Sequence, residues 1–214
     1  MEKLKHLSLI VKAGIGVDNI DVKAATDLGI LVANTPVPSD YIGVAEGTVA
    51  RILALSKRLL TCDKSVKEKI WLKDYDKLRG MYLRGKTLGI IGLGRIGSYV
   101  AKLMKPFGVR ILAYDPYIPK EKALLLDVEL VKDLKDLLKE VDILTIHAIL
   151  TEETRHMISE EELKLMKKNA IIVNTARGAI IDERALYKAL KENWIAGAAL
   201  DVFEKEPPND SPLL

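Results

Sequence analysis

The run Gly92-Leu93-Gly94-Arg95-Ile96-Gly97 constrains this chain most, because it follows an apolar segment, Thr87–Leu93, and leads into a helical pattern. In a strand–turn–helix unit the first glycine allows a tight turn. The second lets backbone approach a pyrophosphate, the third lets the helix pack closely on the strand, and the helix N-terminus favours the anion. Such a match is weak alone and gains weight from its context. Asp115 lies eighteen residues beyond Gly97, close to the ~20 expected for the acid that binds the adenosine ribose. A carboxylate there accepts hydrogen bonds from the ribose hydroxyls and repels a 2′-phosphate, which favours NAD over NADP. The competing reading is a turn aspartate ahead of Pro116.

From residue 87 onward, short apolar runs alternate with amphipathic stretches, the pattern of βαβ units and a parallel sheet. The strand candidates are Thr87–Leu93, Val109–Asp115, Asp142–Ala148, Ala170–Ala176 and Ile195–Phe203. Several are apolar on both faces, as buried parallel strands are. Between them, Ile96, Val100, Leu103, Met104 and Phe107 recur at helical spacing, as do Leu134, Leu137 and Leu138. Ser159 with Glu162 reads as a capping box, and Asp182 as the cap of a helix carrying Leu186 and Leu190. The expected class is α/β, a Rossmann-type doubly wound parallel sheet.

The first eighty residues differ. They predict a strand at Leu7–Lys12, a glycine turn, a helix over Val22–Leu28, a strand at Ile30–Ala33 and a boundary at Pro36 and Pro38. A long apolar-rich helix over Val44–Leu60 follows, then a charged stretch containing Trp71 that runs to Gly85 as a connector. Lysine and arginine number 33 against 30 acidic residues, and the signs alternate along the chain, so nucleic-acid binding gains no support. Cys62 is the single cysteine, which excludes an internal disulfide or a CxxC metal knuckle and makes a reducing, cytoplasmic setting the default. No metal site is expected. Leu7–Val11 is short for a signal-peptide core of ~7–15 residues, and no stretch approaches the ~20 apolar residues of a membrane span.

In an open α/β sheet, ligands bind at the carboxyl ends of the strands. Those ends deliver His147, then Asn174, Thr175 and Arg177, then Asp201 with Glu204 and Glu206 beyond it. Arg177 offers a bidentate fork to a carboxylate and can polarise a carbonyl, with Gly178 beside it giving room. Its bland alternative is a surface arginine in a strand–helix loop. His147 has one too, since strand-end histidines are often satisfied by backbone and only neighbour a cofactor.

The segments LGIIGLGRIG, AYDPY, NTARGAIIDERAL and AGAALDVFEKEPP, with AGIGVDNIDVKAATDLGILVANTP and VAEGTVARILALSKRL upstream, resemble the D-isomer-specific 2-hydroxyacid dehydrogenases, above all the phosphoglycerate dehydrogenase type. The resemblance implies that Gly92, Gly94, Arg95, Ile96 and Gly97 meet the pyrophosphate and Asp115 the adenosine ribose. It places Thr175, Ala176 and Asp201 at the nicotinamide half, with His147 and Ala148 also lining the cofactor site. Arg177 then binds the carboxylate and carbonyl of a small 2-hydroxy or 2-keto acid, and Glu206 keeps a catalytic histidine protonated. Lys12, Ile15 and Gly16 fall on the substrate-binding loop, where phosphoglycerate enzymes often carry arginine in place of Lys12.

The resemblance also implies an organisation. Residues 1–36 are a remnant of a smaller, flavodoxin-like substrate domain, 37–80 a connecting helix and dimerisation arm of a homodimer, and 81–214 the NAD-binding domain without its C-terminal return segment. The family's histidine belongs to a TPHxG-like segment after the EPP motif, and none of His6, His147 and His156 stands in that context. These 214 residues alone are therefore expected to bind NAD but to turn over weakly. Ile149 replaces a usual proline near the adenine side, and Val37–Ile42 reads as a lengthened loop. A non-catalytic NAD-binding or interaction module is the alternative from another class, although it would not need Arg177 and Glu206. Another Rossmann protein, such as a methyltransferase or flavoprotein, is the remote third.

Overall fold

The computed structural model describes residues 6–71 and 78–214, so residues 72–77 of the expected connector and the first five of the expected substrate-domain remnant lie outside the description. The chain divides into two compact units, Met1–Gly43 and Val44–Leu214.

In the first unit, β1 (Leu9–Lys12) and β2 (Leu31–Asn34) pair in parallel, Leu9 opposite Leu31 and Lys12 opposite Asn34. Between them runs α1 (Val22–Asp27), whose N-terminus is capped by Asp21 accepting the Ala24 N–H at 2.8 Å. The helix α2 (Pro38–Ser56) begins in this unit and continues through the second. It therefore starts at Pro38 rather than Val44, and the lengthened loop expected at 37–42 is mostly its first turn. Proline suits that place, because the first helical N–H groups have no intrahelical partner to lose. The helix also stops before Leu60. Arg58 takes φ 52°, in the left-handed region, and a separate helix α3 (Leu59–Lys67) follows.

The second unit is built on one six-stranded sheet. Its strands are β3 (Thr87–Ile91), β4 (Arg110–Tyr114), β5 (Glu129–Leu130), β6 (Ile143–Ile146), β7 (Ile171–Asn174) and β8 (Gly197–Leu200), in the order β5-β4-β3-β6-β7-β8. Every pairing is parallel. The order reverses between β3 and β6, the switch point of a doubly wound sheet. The connecting helices are α4 (Arg95–Met104), α5 (Lys120–Leu126), α6 (Leu134–Glu140), α7 (Glu160–Leu165) and α8 (Glu183–Lys191). Ser159 and Glu162 form the expected capping box on α7, and Asp182 caps α8 by accepting the Arg184 and Ala185 N–H groups.

Alternation along the strands feeds two apolar layers. Ile91, Leu144, Ile146 and Ile172 face Leu137, Leu138, Leu163 and Leu186 of the helices on one side. Leu88, Ile90, Ile143, Ile171 and Val173 face Val100 and Met104 of α4 together with Ala45 and Ile52 of α2 on the other. Each fully buried large aliphatic side chain contributes about 1.5–3 kcal/mol, and both faces of β3, β6 and β7 are covered. Among the described residues, no helix is long and apolar enough to cross a membrane.

At the amino ends of the strands, Asp142 is 6% exposed, and its Oδ2 accepts the Thr87 N–H at 3.0 Å while Lys167 Nζ stands 3.5 Å from Oδ1. That carboxylate ties the start of β3 to the start of β6. Asp142→Ala is expected to lower the unfolding free energy by about 1–3 kcal/mol, since it leaves a buried donor unmet, and Asp142→Asn to cost less. Urea denaturation measures both, and an unchanged midpoint for the alanine variant would refute the tie.

Candidate functional site

The turn after β3 is shaped by close backbone approaches. Gly92 has φ +87°, and a Cβ there would stand 2.8 Å from both His147 C and Ala148 N. A Cβ at Gly97 would stand 2.1 Å from Gly92 O, so only glycine lets α4 start this close to the turn. At Gly94, by contrast, a Cβ would meet nothing within 4 Å. Gly94 is also the N-cap of α4, without a side-chain hydrogen bond. Among the described residues no side chain is found capping the first N–H groups of this helix, those of Arg95 and Ile96, and the side of Gly94 where a Cβ would stand is clear. An exposed α-helix start of this kind is an anion site, and the donors and the space fit a pyrophosphate. Arg95 itself is exposed, whereas the Ile96 side chain packs against the core, so Ile96 can serve through its backbone.

Asp115 follows β4, and its Oδ2 accepts the Leu93 N–H at 2.8 Å while Oδ1 accepts that of Tyr117 at 3.0 Å. The aspartate is therefore aimed back at the glycine turn, with lone pairs remaining for hydroxyl donors. After β6, the His147 imidazole folds back onto its own strand, Nε2 lying 3.0 Å from Thr145 Oγ1. Nδ1 is buried and has no hydrogen-bond partner among the described residues. Burial pushes the imidazole pKa from 6.5 down to about 3, which keeps it neutral.

The loop after β7 is closed on itself. Asn174 is buried; its Nδ2 donates to Arg177 O at 2.9 Å and its Oδ1 accepts the Ala176 N–H at 3.0 Å. The Arg177 guanidinium donates to Ala176 O at 2.7 Å. Gly178 does more than give Arg177 room: a Cβ there would stand 1.9 Å from Phe203 C, so this glycine seats the loop on the segment that follows β8. In that segment Glu206 Oε1 accepts the Phe203 N–H at 3.1 Å. His156, remote from the family's histidine motif in sequence, pairs with Glu204 at 3.1 Å.

Two residues of α2 join this end of the sheet without having been singled out from the sequence. Thr48 Oγ1 lies 2.8 Å from Thr175 Oγ1 in a buried contact and donates to Val44 O. Arg51 forms an ion pair with Asp201. The only signal for them was a threonine and an arginine three apart, on one face of an apolar-rich helix. The remaining expected residues lie in the first unit. Gly14 has its N–H bound by Thr35 Oγ1 at 2.9 Å, and Asn34 Nδ2 donates to Ile15 O at 2.8 Å, which staples the loop carrying Ile15 and Gly16 to the end of β2. Lys12 ends β1.

A switch point bearing a glycine turn, an acid after the second strand of the sheet and an arginine loop after the fifth defines a dinucleotide-binding dehydrogenase domain. Residues 49–214 match the family of the D-isomer specific 2-hydroxyacid dehydrogenase, NAD binding domain, and the chain belongs to that family. It is 55% identical over 214 residues to a D-3-phosphoglycerate dehydrogenase of Methanocaldococcus jannaschii, covering all of this chain and 40% of that protein. It is 50% identical to a glyoxylate reductase of Aeropyrum pernix, over 98% of this chain and 63% of that one. Among solved structures, a D-lactate dehydrogenase from Aquifex aeolicus complexed with NAD and lactic acid superimposes with a TM-score of 0.89 at 39% identity, covering 97% of this chain and 61% of that one. The chain thus spans between two fifths and just under two thirds of the length of these relatives.

Because the folded His147 binds its proton only near pH 3, the unfolded chain takes up a proton between pH 6.5 and 3 that the folded one does not. Stability should therefore fall as pH drops below about 6.5, less steeply in His147→Asn. The His147 ring resonances should not shift between about pH 5 and 8; a titration in that range in an NMR series would refute the buried neutral imidazole.

Proposed function

We propose that the protein carrying this chain transfers hydride between NAD and a small 2-hydroxy acid: a D-acid of the 3-phosphoglycerate or glycerate type, the latter formed by reducing hydroxypyruvate, or achiral glycolate, formed by reducing glyoxylate. The observation that carries this reading is Arg177, fixed through its backbone by Asn174 and seated by Gly178 at the carboxyl end of β7, next to Thr175 and Ala176. A cation in that place grips the carboxylate of a 2-keto acid and polarises the adjacent carbonyl. When bound, NADH supplies the hydride that goes to the carbonyl carbon. The carbonyl oxygen then needs a proton from a general acid.

The protein's own groups supply the rest. In this reading Thr175, which Thr48 holds, and Asp201, which Arg51 holds, line the nicotinamide half, and His147 and Ala148 line the cofactor site at the switch point. The family resemblance assigns Lys12, Ile15 and Gly16 to binding the substrate carboxylate or phosphate. Glu206 is the candidate to hold a protonated imidazole. None of the three histidines suits that role: His147 is kept neutral by burial, and neither His6 nor His156 stands in the family's histidine motif.

Two outcomes follow for the chemistry. The 214 residues by themselves should bind NADH in a fluorescence titration yet reduce glyoxylate or hydroxypyruvate about 10²–10⁴-fold more slowly than a form supplied with the family's histidine segment. In that longer form, Arg177→Ala should lower kcat/KM by about 10²–10³-fold with the NADH Kd unchanged. Full activity of the variant would sink the hydride-transfer reading and leave a nucleotide-binding module in its place.

The same proposal includes a homodimer in a reducing, cytoplasmic setting. α3 buries none of its residues within the chain, and Leu60 and Trp71 at and beyond it are 77% and 80% exposed. Sedimentation should give twice the chain mass, and Leu60→Glu should shift it towards the monomer; a wild-type monomer would refute the dimer.

A further inference from the structure

The sheet order places β4 on one side of β3 and β6 on the other, so the loops leaving the carboxyl ends of β4 and β6 flank the glycine turn. A side-chain hydrogen bond joins those loops: the Tyr117 hydroxyl donates to Glu153 Oε2 at 2.9 Å. Both residues are rooted. The Tyr117 N–H is held by Asp115 Oδ1 at 3.0 Å. Glu153 sits in a turn where Thr154 Oγ1 donates to Ile149 O at 2.7 Å and accepts the Thr151 N–H at 2.8 Å. What spans the gap is therefore two side chains between fixed ends.

Tyr117 is 81% exposed, and Ile149, on the opposite loop, is 77% exposed. Tyr117 stands next to Asp115, the residue expected to take a ribose, Ile149 is on the loop that Glu153 shares, and neither packs into the core. A ribose at Asp115 with its pyrophosphate at the start of α4 directs the attached base between these two loops. Tyr117 and Ile149 there present apolar surface that suits a planar heterocycle.

We propose that Tyr117 and Glu153 form a clasp across the adenosine end of the cleft, which retains the adenosine half of NAD by closing beside its base. The inference rests on the cofactor reading given above and adds two binding residues to it. In water, an exposed hydrogen bond of this kind contributes little and opens readily. With a base between the loops it is shielded from water and strengthens. The clasp therefore acts on departure more than on entry. The bond to Glu153 raises the Tyr117 pKa, which keeps the phenol protonated as the donor the clasp needs.

The test is cofactor release by stopped-flow fluorescence, with equilibrium titrations of NADH, ADP-ribose and reduced nicotinamide mononucleotide. Tyr117→Phe should raise the NADH dissociation rate and Kd by about 3- to 10-fold with the association rate unchanged. The same variant should weaken ADP-ribose equally and leave the mononucleotide unaffected. Glu153→Ala should copy it, whereas Glu153→Gln, whose amide oxygen still accepts the phenol, should stay within about twofold of wild type. NADH release from Tyr117→Phe at the wild-type rate, or an equal loss of mononucleotide affinity, would overturn the clasp alone. Absence of NADH binding by the wild-type protein would overturn the cofactor reading and the clasp with it.

Discussion

The contact between Gly97 and the carbonyl of Gly92 is where the second unit is decided. A Cβ at 97 would lie 2.1 Å from that oxygen, so the bare glycine is what lets α4 rise with only three residues between it and β3, its N-terminus set at the carboxyl edge of the sheet. The next strand must then return alongside β3, and the register that pairs Ile91 with Tyr114 leaves Asp115 just beyond the edge. There it accepts the Leu93 N–H. One missing methyl group thus links the turn, the helix start and the acid of the next strand into a single piece.

How far the sequence disclosed this depended on whether a feature was local. The five longer strands of the second unit were legible as apolar runs, most plainly β3, β6 and β7, which are buried on both faces. Their ends were read too far, since Leu93 and Ala176 are shielded in turns after pairing has stopped. The edge strand β5 escaped notice, being only Glu129 and Leu130. The break between α2 and α3 was hidden too, because Arg58 gives no warning of a left-handed φ. In the site, the glycines and Asp115 announced themselves by spacing. Thr48 and Arg51 could not, because their partners Thr175 and Asp201 lie more than a hundred residues away in sequence.

Some residues kept their place but changed their meaning. Gly178 had been read as clearance for Arg177; its tighter constraint is the backbone of Phe203. His147 stands at the strand end as expected, yet its ring turns to Thr145 and is held neutral. A cation there would be poorly tolerated in any case, since desolvation penalises the charged imidazole and, among the described residues, no carboxylate pairs with it.

The groups assigned to the cofactor already hold the protein's own loops. Asp115 binds two backbone N–H groups, Thr175 meets Thr48, Asp201 meets Arg51, and Asn174 closes the loop around Arg177. Each such bond is modest in free energy, but it removes rotamer and loop freedom that a ligand would otherwise have to freeze on binding. The start of α4 differs: among the described residues no side chain caps it, and nothing lies within 4 Å of where a Gly94 Cβ would stand, so an anion binding there would displace no such partner. A site built this way separates two tasks. Polar side chains set the geometry beforehand, and uncapped backbone amides supply attraction that costs the fold little ordering.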